Sequence, residues 1–220
     1  MSTSFQAPSR FTAGWRRLAA VSSVVLACAM LPACASKSDT FELPDSARPG
    51  AQGEQIRKAH ELASRAERAG KAQRYDEAIK LYQEALATYR QFPSAWLNLG
   101  VMQMKAGNGL AAAEAFDAAA EADPSDPRPM YNIGAIWEEK YYYDVAIRHY
   151  NKALERDPNF LPALRRSIYL EMQTNSFTPA SKDRVRRALM LETDPTFKNI
   201  FAQAKLRLDN EVLGDAAMPN

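Results

Sequence analysis

The chain has 220 residues, of which 46% are hydrophobic, 25% charged and 10% aromatic, the profile of a globular chain rather than a disordered or multi-span one. Its formal charge of +2 is uneven: residues 1–33 carry Arg10, Arg16 and Arg17 with no acid, and removing these three from 28 basic residues leaves 25 against 26 acidic. A nucleic-acid-binding reading thereby loses its main support, and two cysteines (Cys28, Cys34) with two histidines (His60, His149) are too few for a disulfide framework or a Cys/His-rich metal site.

Residues 18–31 form a 14-residue apolar run behind Arg16 and Arg17. A membrane-spanning helix needs about 20 such residues, so this run has the length of a signal-peptide core. Leu31-Pro32-Ala33-Cys34 follows and resembles the lipobox of bacterial lipoproteins. The resemblance implies that residues 1–33 are a lipoprotein signal peptide, cut before a Cys34 that carries diacylglycerol. Cys28 behind Val25-Leu26-Ala27 is a looser competitor that would truncate the apolar core, and a plain secretory signal cut near Ala33 or Ala35 is the other alternative. Within that family, Ala35 in place of an aspartate points to the outer membrane, facing the periplasm. Residues 34–53 contain Pro44, Pro49, Gly50 and Gly53 with no helical period, the composition of a flexible tether. Such a tether has a root-mean-square span of about 25 Å.

From Ala59 onward the sequence repeats with a period of 34, in frames 59–92, 93–126, 127–160 and, loosely, 161–194. Position 20 reads Ala78, Ala112, Ala146 and Ala180; position 24 reads Tyr82, Phe116 and Tyr150; position 27 reads Ala85, Ala119 and Ala153. Position 8 is Ala66, Gly100 and Gly134, and Asp-Pro recurs as Asp123-Pro124 and Asp157-Pro158. With Trp96 and Leu99, these residues resemble the tetratricopeptide repeat. The resemblance implies an all-α fold, a right-handed α-solenoid of antiparallel helix pairs in which small residues let helices approach and the aromatic fills the space beside them. Three repeats are expected over 54–160, the first helix reaching back through Ile56. In the fourth frame Arg184 and Arg187 occupy positions 24 and 27, and a slide of one residue replaces them with Val185 and Ala188. The reading is a degenerate fourth pair with an insertion near Phe177-Thr178-Pro179. A capping helix follows from Pro195 to about 210, with Phe197, Ile200, Phe201, Ala204 and Leu208 on one face, and 211–220 is expected to be a disordered tail.

No catalytic motif stands out, and the sequence calls for no cofactor and no metal. His60 and His149 read as solvated surface histidines, Glu138-Glu139 as a helix-surface pair whose members do not face each other. Tyr141-Tyr142-Tyr143 lies at a repeat turn, Tyr143 as packing and the other two as exposed. The resemblance implies a concave groove lined by the first helix of each pair. Its candidate peptide-binding residues are Leu97, Asn98 and Val101 in the second repeat, Arg128, Tyr131 and Asn132 in the third, and Arg166 and Tyr169 in the fourth. The family's carboxylate clamp fits only at Asn98 and Arg128, because Ala63, Glu67 and Asn132 stand where Lys, Asn and Arg are expected. Charge is graded along the array, with one basic and five acidic residues in 93–126 against nine basic and five acidic in 161–209. The expected function is a lipid-anchored cell-envelope scaffold, not an enzyme, that holds a protein or peptide segment in the groove. Lipoproteins of this layout serve pilus and secretion systems or hold cell-wall hydrolases. The alternative is an envelope enzyme with an unrecognised site.

Overall fold

A computed structural model describes residues 50–216. Among them are nine helices and no strand: α1 (Ala51–Lys71), α2 (Tyr75–Thr88), α3 (Pro93–Lys105), α4 (Gly109–Ala122), α5 (Arg128–Glu139), α6 (Tyr143–Arg156), α7 (Leu161–Thr174), α8 (Pro179–Leu191) and α9 (Pro195–Ala216). Each helix packs on its neighbours in sequence, and α3 also meets α5 directly. This is an all-helical solenoid of antiparallel pairs. Prolines open α3, α8 and α9 and stand second in α5 and α7, where the absent N–H has no intrahelical partner to lose.

The pairs are locked by size complementarity at two frame positions. A Cβ on Gly100 would stand 2.5 Å from the Phe116 ring, and one on Gly134 would stand 2.6 Å from the Tyr150 ring. Phe116 and Tyr150 are fully buried because the glycines let them reach the opposing backbone. Position 15 of every frame turns the chain with a positive φ: 60° at Gln73, 82° at Gly107, 65° at Tyr141 and 51° at Asn175. Glycine and asparagine tolerate this left-handed region; glutamine and tyrosine are strained in it.

The fourth pair is built differently. The side chains at the equivalent of positions 8 and 24 are Ile168 and Val185, both buried. Asn175 keeps the 34-residue frame, whereas position 20 has moved to Ser181, which is fully buried while Ala180 is exposed. Ala180 is therefore not the small packing residue that its frame position suggests, since the inserted residue between Asn175 and Ser181 rotates it outward. Ser181 accepts a hydrogen bond from Arg184 Nη2 at 2.8 Å, and Arg184 also pairs with the buried Glu171. Burial pushes the Glu171 carboxyl above its ordinary range, opposed by Arg184.

Arg165 joins the last three helices. Its Nε and Nη2 each donate at 2.7 Å to the two carboxylate oxygens of Glu192, at the end of α8. Glu192 Oε1 also accepts the N–H groups of Thr193 and Asp194 at 2.9 Å, just ahead of α9. The Arg165 guanidinium lies 4.3 Å from the Phe197 ring centre. Helix α9 buries Phe201, Ala204 and Leu208 against this end of the stack.

Two boundaries expected from sequence need correction. The tether of 34–53 gives way to helix at Ala51, because Gly50 adopts φ 92° and Glu54 favours the first turn that follows it. The tail of 211–220 is helical as far as Ala216; no proline interrupts the chain before Pro219. Cys28, Cys34 and the apolar run lie outside the described residues.

Candidate functional site

In this solenoid the first helices of the pairs, α3, α5 and α7 among them, carry the residues that sequence reasoning assigned to a groove. The structure sorts those residues into three groups. Leu97 is buried in the core with Met130 and Ile133, so it is not a groove residue, because position 5 of α3 faces the next pair. Val101 is half-buried and packs on the same core. Asn98 is half-buried beside Tyr82, whose hydroxyl is pushed up by burial with the Asn98 hydrogen bond opposing. Asn132 is half-buried on α5.

Arg128 is exposed but already engaged. Its Nε lies 2.9 and 3.0 Å from the two carboxylate oxygens of Asp126, its Nη2 donates at 2.7 Å, and its backbone N–H donates at 2.9 Å. The guanidinium and the start of α5 are thus held by one carboxylate, which keeps the Arg128 charge local rather than offered to a ligand.

Tyr131, Arg166 and Tyr169 come together in a cleft of about 680 Å³ between α5, the start of α6, and α7. Its other walls are Ala135, Glu138, Glu139, Tyr141, Tyr143, Tyr150 and Gln173. Tyr131 packs against Tyr150 at 5.5 Å between ring centres and edge-on against Phe160 at 5.6 Å. Tyr141 and Tyr143 meet edge to face at 6.2 Å. Tyr141 is 78% exposed and Tyr169 is 42% exposed.

Glu138 is the polar centre of the cleft. Its Oε2 accepts the Tyr150 hydroxyl at 2.5 Å and Arg166 Nε at 3.0 Å, and its Oε1 pairs with Arg166 Nη2. Arg166 lies 5.6 Å from the Tyr169 ring centre. Burial raises the Tyr150 hydroxyl well above its ordinary pKa, so it stays a donor. The sequence read Glu138 only as a helix-surface acid and not as the centre of the cleft, because its partner lies 28 residues away in the next frame; opposite charges at positions 12 and 6 of successive frames were the available signal. It missed Tyr141 by taking exposure as idleness.

The two histidines differ. His60 is exposed, its ring tilted against that of Phe92 with 4.5 Å between ring centres. His149 is not a solvated surface residue: it is half-buried, its Nδ1 lacks a hydrogen-bond partner, and burial lowers its pKa. No group of three or more His, Cys, Asp or Glu side chains among the described residues is placed to hold a metal.

Comparison with known proteins agrees with this architecture. Residues 63–127 and 127–160 match two family profiles, each described as tetratricopeptide repeat. The chain is similar to Hsp70-Hsp90 organizing protein 2 of Arabidopsis thaliana, at 28% identity over 66% of this chain and 25% of that protein. It is similar at 26% identity to the human Protein O-mannosyl-transferase TMTC3, over 63% of this chain and 15% of that one. The chain thus spans a quarter or less of these relatives' own lengths. Among solved structures it resembles MamA, with a TM-score of 0.53 and 16% identity over 64% of this chain and 77% of that one. It also resembles the first tetratricopeptide domain of Spaghetti bound to an HSP90 peptide, with a TM-score of 0.51 and 21% identity over 55% of this chain and 96% of that one. The Yersinia enterocolitica type III secretion chaperone SycD, in complex with a peptide of the translocator YopD, matches with a TM-score of 0.50 and 17% identity over 52% of this chain and 93% of that one. The array over 63–160 is made of tetratricopeptide repeats, and the fold is the solenoid they form.

Proposed function

We propose that this protein is a lipid-anchored scaffold of the bacterial cell envelope. It holds an extended segment of a partner protein against the inner face of α3, α5 and α7. The observation that carries the reading is the open, tyrosine-lined cleft between α5 and α7; Asn132 follows the cleft residue Tyr131 on α5, and Asn98 holds the same frame position on α3. An extended peptide brings amide groups that need partners once desolvated, and half-buried asparagines supply both donor and acceptor. Tetratricopeptide arrays act as non-enzymatic interaction scaffolds, and two solved proteins of this fold are described with a bound peptide.

The anchor rests on Leu31-Pro32-Ala33-Cys34 behind a short apolar run. No helix among the described residues is long and apolar enough to cross a membrane. Acyl chains bury methylenes at about 0.8 kcal/mol each, and two chains give stable attachment. The partner belongs to an envelope assembly such as a pilus or secretion system, and the outer membrane is the expected site because Ala35 follows Cys34.

Crosslinking and retention from membranes with the mature protein test the reading. Asn98→Ala with Asn132→Ala and Tyr169→Ala should abolish retention of the partner at unchanged helicity. Retention that survives these changes, but not changes at Glu114 and Arg148 on the second helices, overturns the inner-face assignment. Mass spectrometry of the mature N-terminus tests the anchor: a terminus other than acylated Cys34 overturns it.

A further inference from the structure

We infer that the cleft between α5 and α7 seats a lysine or arginine side chain of the partner segment, the opposite charge preference to a carboxylate-binding groove. The inference rests on the inner-face reading above and adds the chemistry of the bound residue.

Three observations carry it. The first is the state of the arginines on this face. Arg128 is held by Asp126 and Arg166 by Glu138, so both guanidiniums are spent on internal carboxylates, and the neighbouring Arg165 is turned away to Glu192 at the α8–α9 end. An acidic ligand would have to displace one of these pairs.

The second is the balance of the lining. Glu138 is neutralised by Arg166, whereas Glu139 is exposed at the rim and has no ion-pair partner among the described residues. Its neighbour Lys140 does not compensate it inside the cleft. Lys140 lies toward the start of α4, its Cε 3.9 Å from where a Cβ on Gly109 would stand. The cleft therefore keeps one negative charge next to exposed tyrosine rings. Ring faces carry negative potential and attract ammonium and guanidinium groups, which a neighbouring carboxylate reinforces. The molecule already shows this contact twice nearby, with Arg166 over Tyr169 and Arg165 over Phe197.

The third is the backbone of Tyr141. It adopts φ 65°, in the position where the other frames place Gln73, Gly107 and Asn175. A bulky residue there is unfavourable, and its side chain is 78% exposed, so packing does not repay the strain. The ring stands at the mouth of the cleft, edge to face with Tyr143, where it can close over a long cationic side chain.

The test uses the full chain in a non-ionic detergent, with dye-labelled Gly/Ser peptides of twelve residues carrying three Lys, three Arg, three Glu or three Leu. Fluorescence anisotropy at physiological salt reads the affinity. The Lys and Arg peptides should bind at least tenfold more tightly than the Glu and Leu peptides. Tyr141→Asn and Glu139→Gln should each weaken the Lys peptide about threefold or more, and together with Tyr169→Ala should erase the preference. Tyr141→Asn should do so without lowering the melting temperature, since asparagine suits the left-handed turn. Glu121→Gln, which removes a charge from the acidic second repeat, should leave binding unchanged. A preference for Glu or Leu, no preference, or a Lys preference that outlasts the loss of Tyr141, Tyr169 and Glu139 overturns the inference. Retention of a membrane partner that depends on Asn98 and Asn132 while basic peptides fail overturns this inference and leaves the inner-face reading standing. Basic peptides that bind through the three residues while no partner is retained give the reverse.

Discussion

The second and third repeats and the fourth pair solve the same packing problem with the sizes exchanged. In the former, a glycine at position 8 admits a whole aromatic ring, Phe116 or Tyr150. In the fourth, Ile168 fills the first helix's side and the smaller Val185 answers it from α8. The inserted residue that moves Val185 into register also brings Arg184 inward, where Glu171 and Ser181 meet it in a buried polar cluster. What the junction keeps constant is filled volume, as close-packed interiors require, rather than residue type. The exchange has a cost in polar groups. Glu171 Oε2 and Arg184 Nε are both buried without a hydrogen-bond partner, whereas the Phe116 ring needs none and the Tyr150 hydroxyl donates to Glu138.

That contrast breaks most readily at the polar cluster. Arg184→Met would leave the Glu171 carboxylate buried and unpaired and should cost about 3–5 kcal/mol in urea melts at neutral pH. Adding Glu171→Leu should recover most of the loss, because an apolar pair of similar volume is often neutral or better. The Glu171 pKa is raised, so the folded state of the single variant holds its proton more tightly than the unfolded chain. Its stability should therefore rise as pH falls. Equal stability of the single and double variants at every pH would show that the ion pair does not organise the fourth pair.

Acid should separate the two regions as well. Arg165 and the two backbone N–H groups lower the Glu192 pKa from its ordinary 4.5 to about 2. The folded state then binds this proton less readily than the unfolded chain. The contribution is fully present above pH 4.5 and is lost as pH falls toward 2. The wild type should lose more stability than Glu192→Gln over that window, and the loss should begin with α8 and α9. Hydrogen exchange that opens α3 and α4 first would contradict it.

A smaller break lies in the aromatic junctions. Gly100→Ala would press a methyl onto the Phe116 ring and should cost about 1–3 kcal/mol. Phe116→Leu in the same chain frees space and should return part of it. No loss from Gly100→Ala would mean that the helices yield at this junction, and size exchange would not distinguish the repeats.

Much of this was legible in the sequence because it is periodic. Gly100 with Phe116, Gly134 with Tyr150, and the alanines at 20 and 27 of the first three frames recur at 34-residue spacing, and each lies where the solenoid needs it. The slide that buries Val185 and Ala188 was legible from the misfit of Arg184 and Arg187. The candidate site was legible only as positions on the groove side of the first helices, Tyr131, Arg166 and Tyr169 among them, and not as a connected cluster. Its centre, Glu138, acts through partners 12 and 28 residues away on two other helices, and no single-helix pattern reports such a meeting. Leu97 was misassigned because position 5 faces the groove or the next pair according to how the helices turn, which the period does not encode. Arg128 was read as a ligand-binding charge because the turn that delivers Asp126 to it is local geometry, not repeat pattern.

The smallest effect concerns the turns, where all four frames share a positive φ but only two carry a residue suited to it. Gln73 is exposed at φ 60°, and no side-chain hydrogen bond compensates it among the described residues. Its backbone N–H donates to Gly70 O at 3.0 Å, a bond that any residue can make. Gln73→Asn keeps that bond and places in the turn a residue that tolerates the left-handed region. The chain should gain about 0.5–1 kcal/mol, a fraction of the 1–2 kcal/mol by which this region disfavours an ordinary side chain. Gln73→Ala keeps the Cβ without asparagine's local hydrogen bonding and should gain nothing, so backbone strain is separated from mere truncation. Asn175→Ala, at the same position in the fourth frame, should lose what Gln73→Asn gains. Tyr141→Asn should gain as much as Gln73→Asn, since the two turns share a conformation and differ in what their side chains do. If Tyr141→Asn destabilises instead, the Tyr141 ring is held by packing against Tyr143, and the turn is rigid scaffold rather than a strained rim of the cleft.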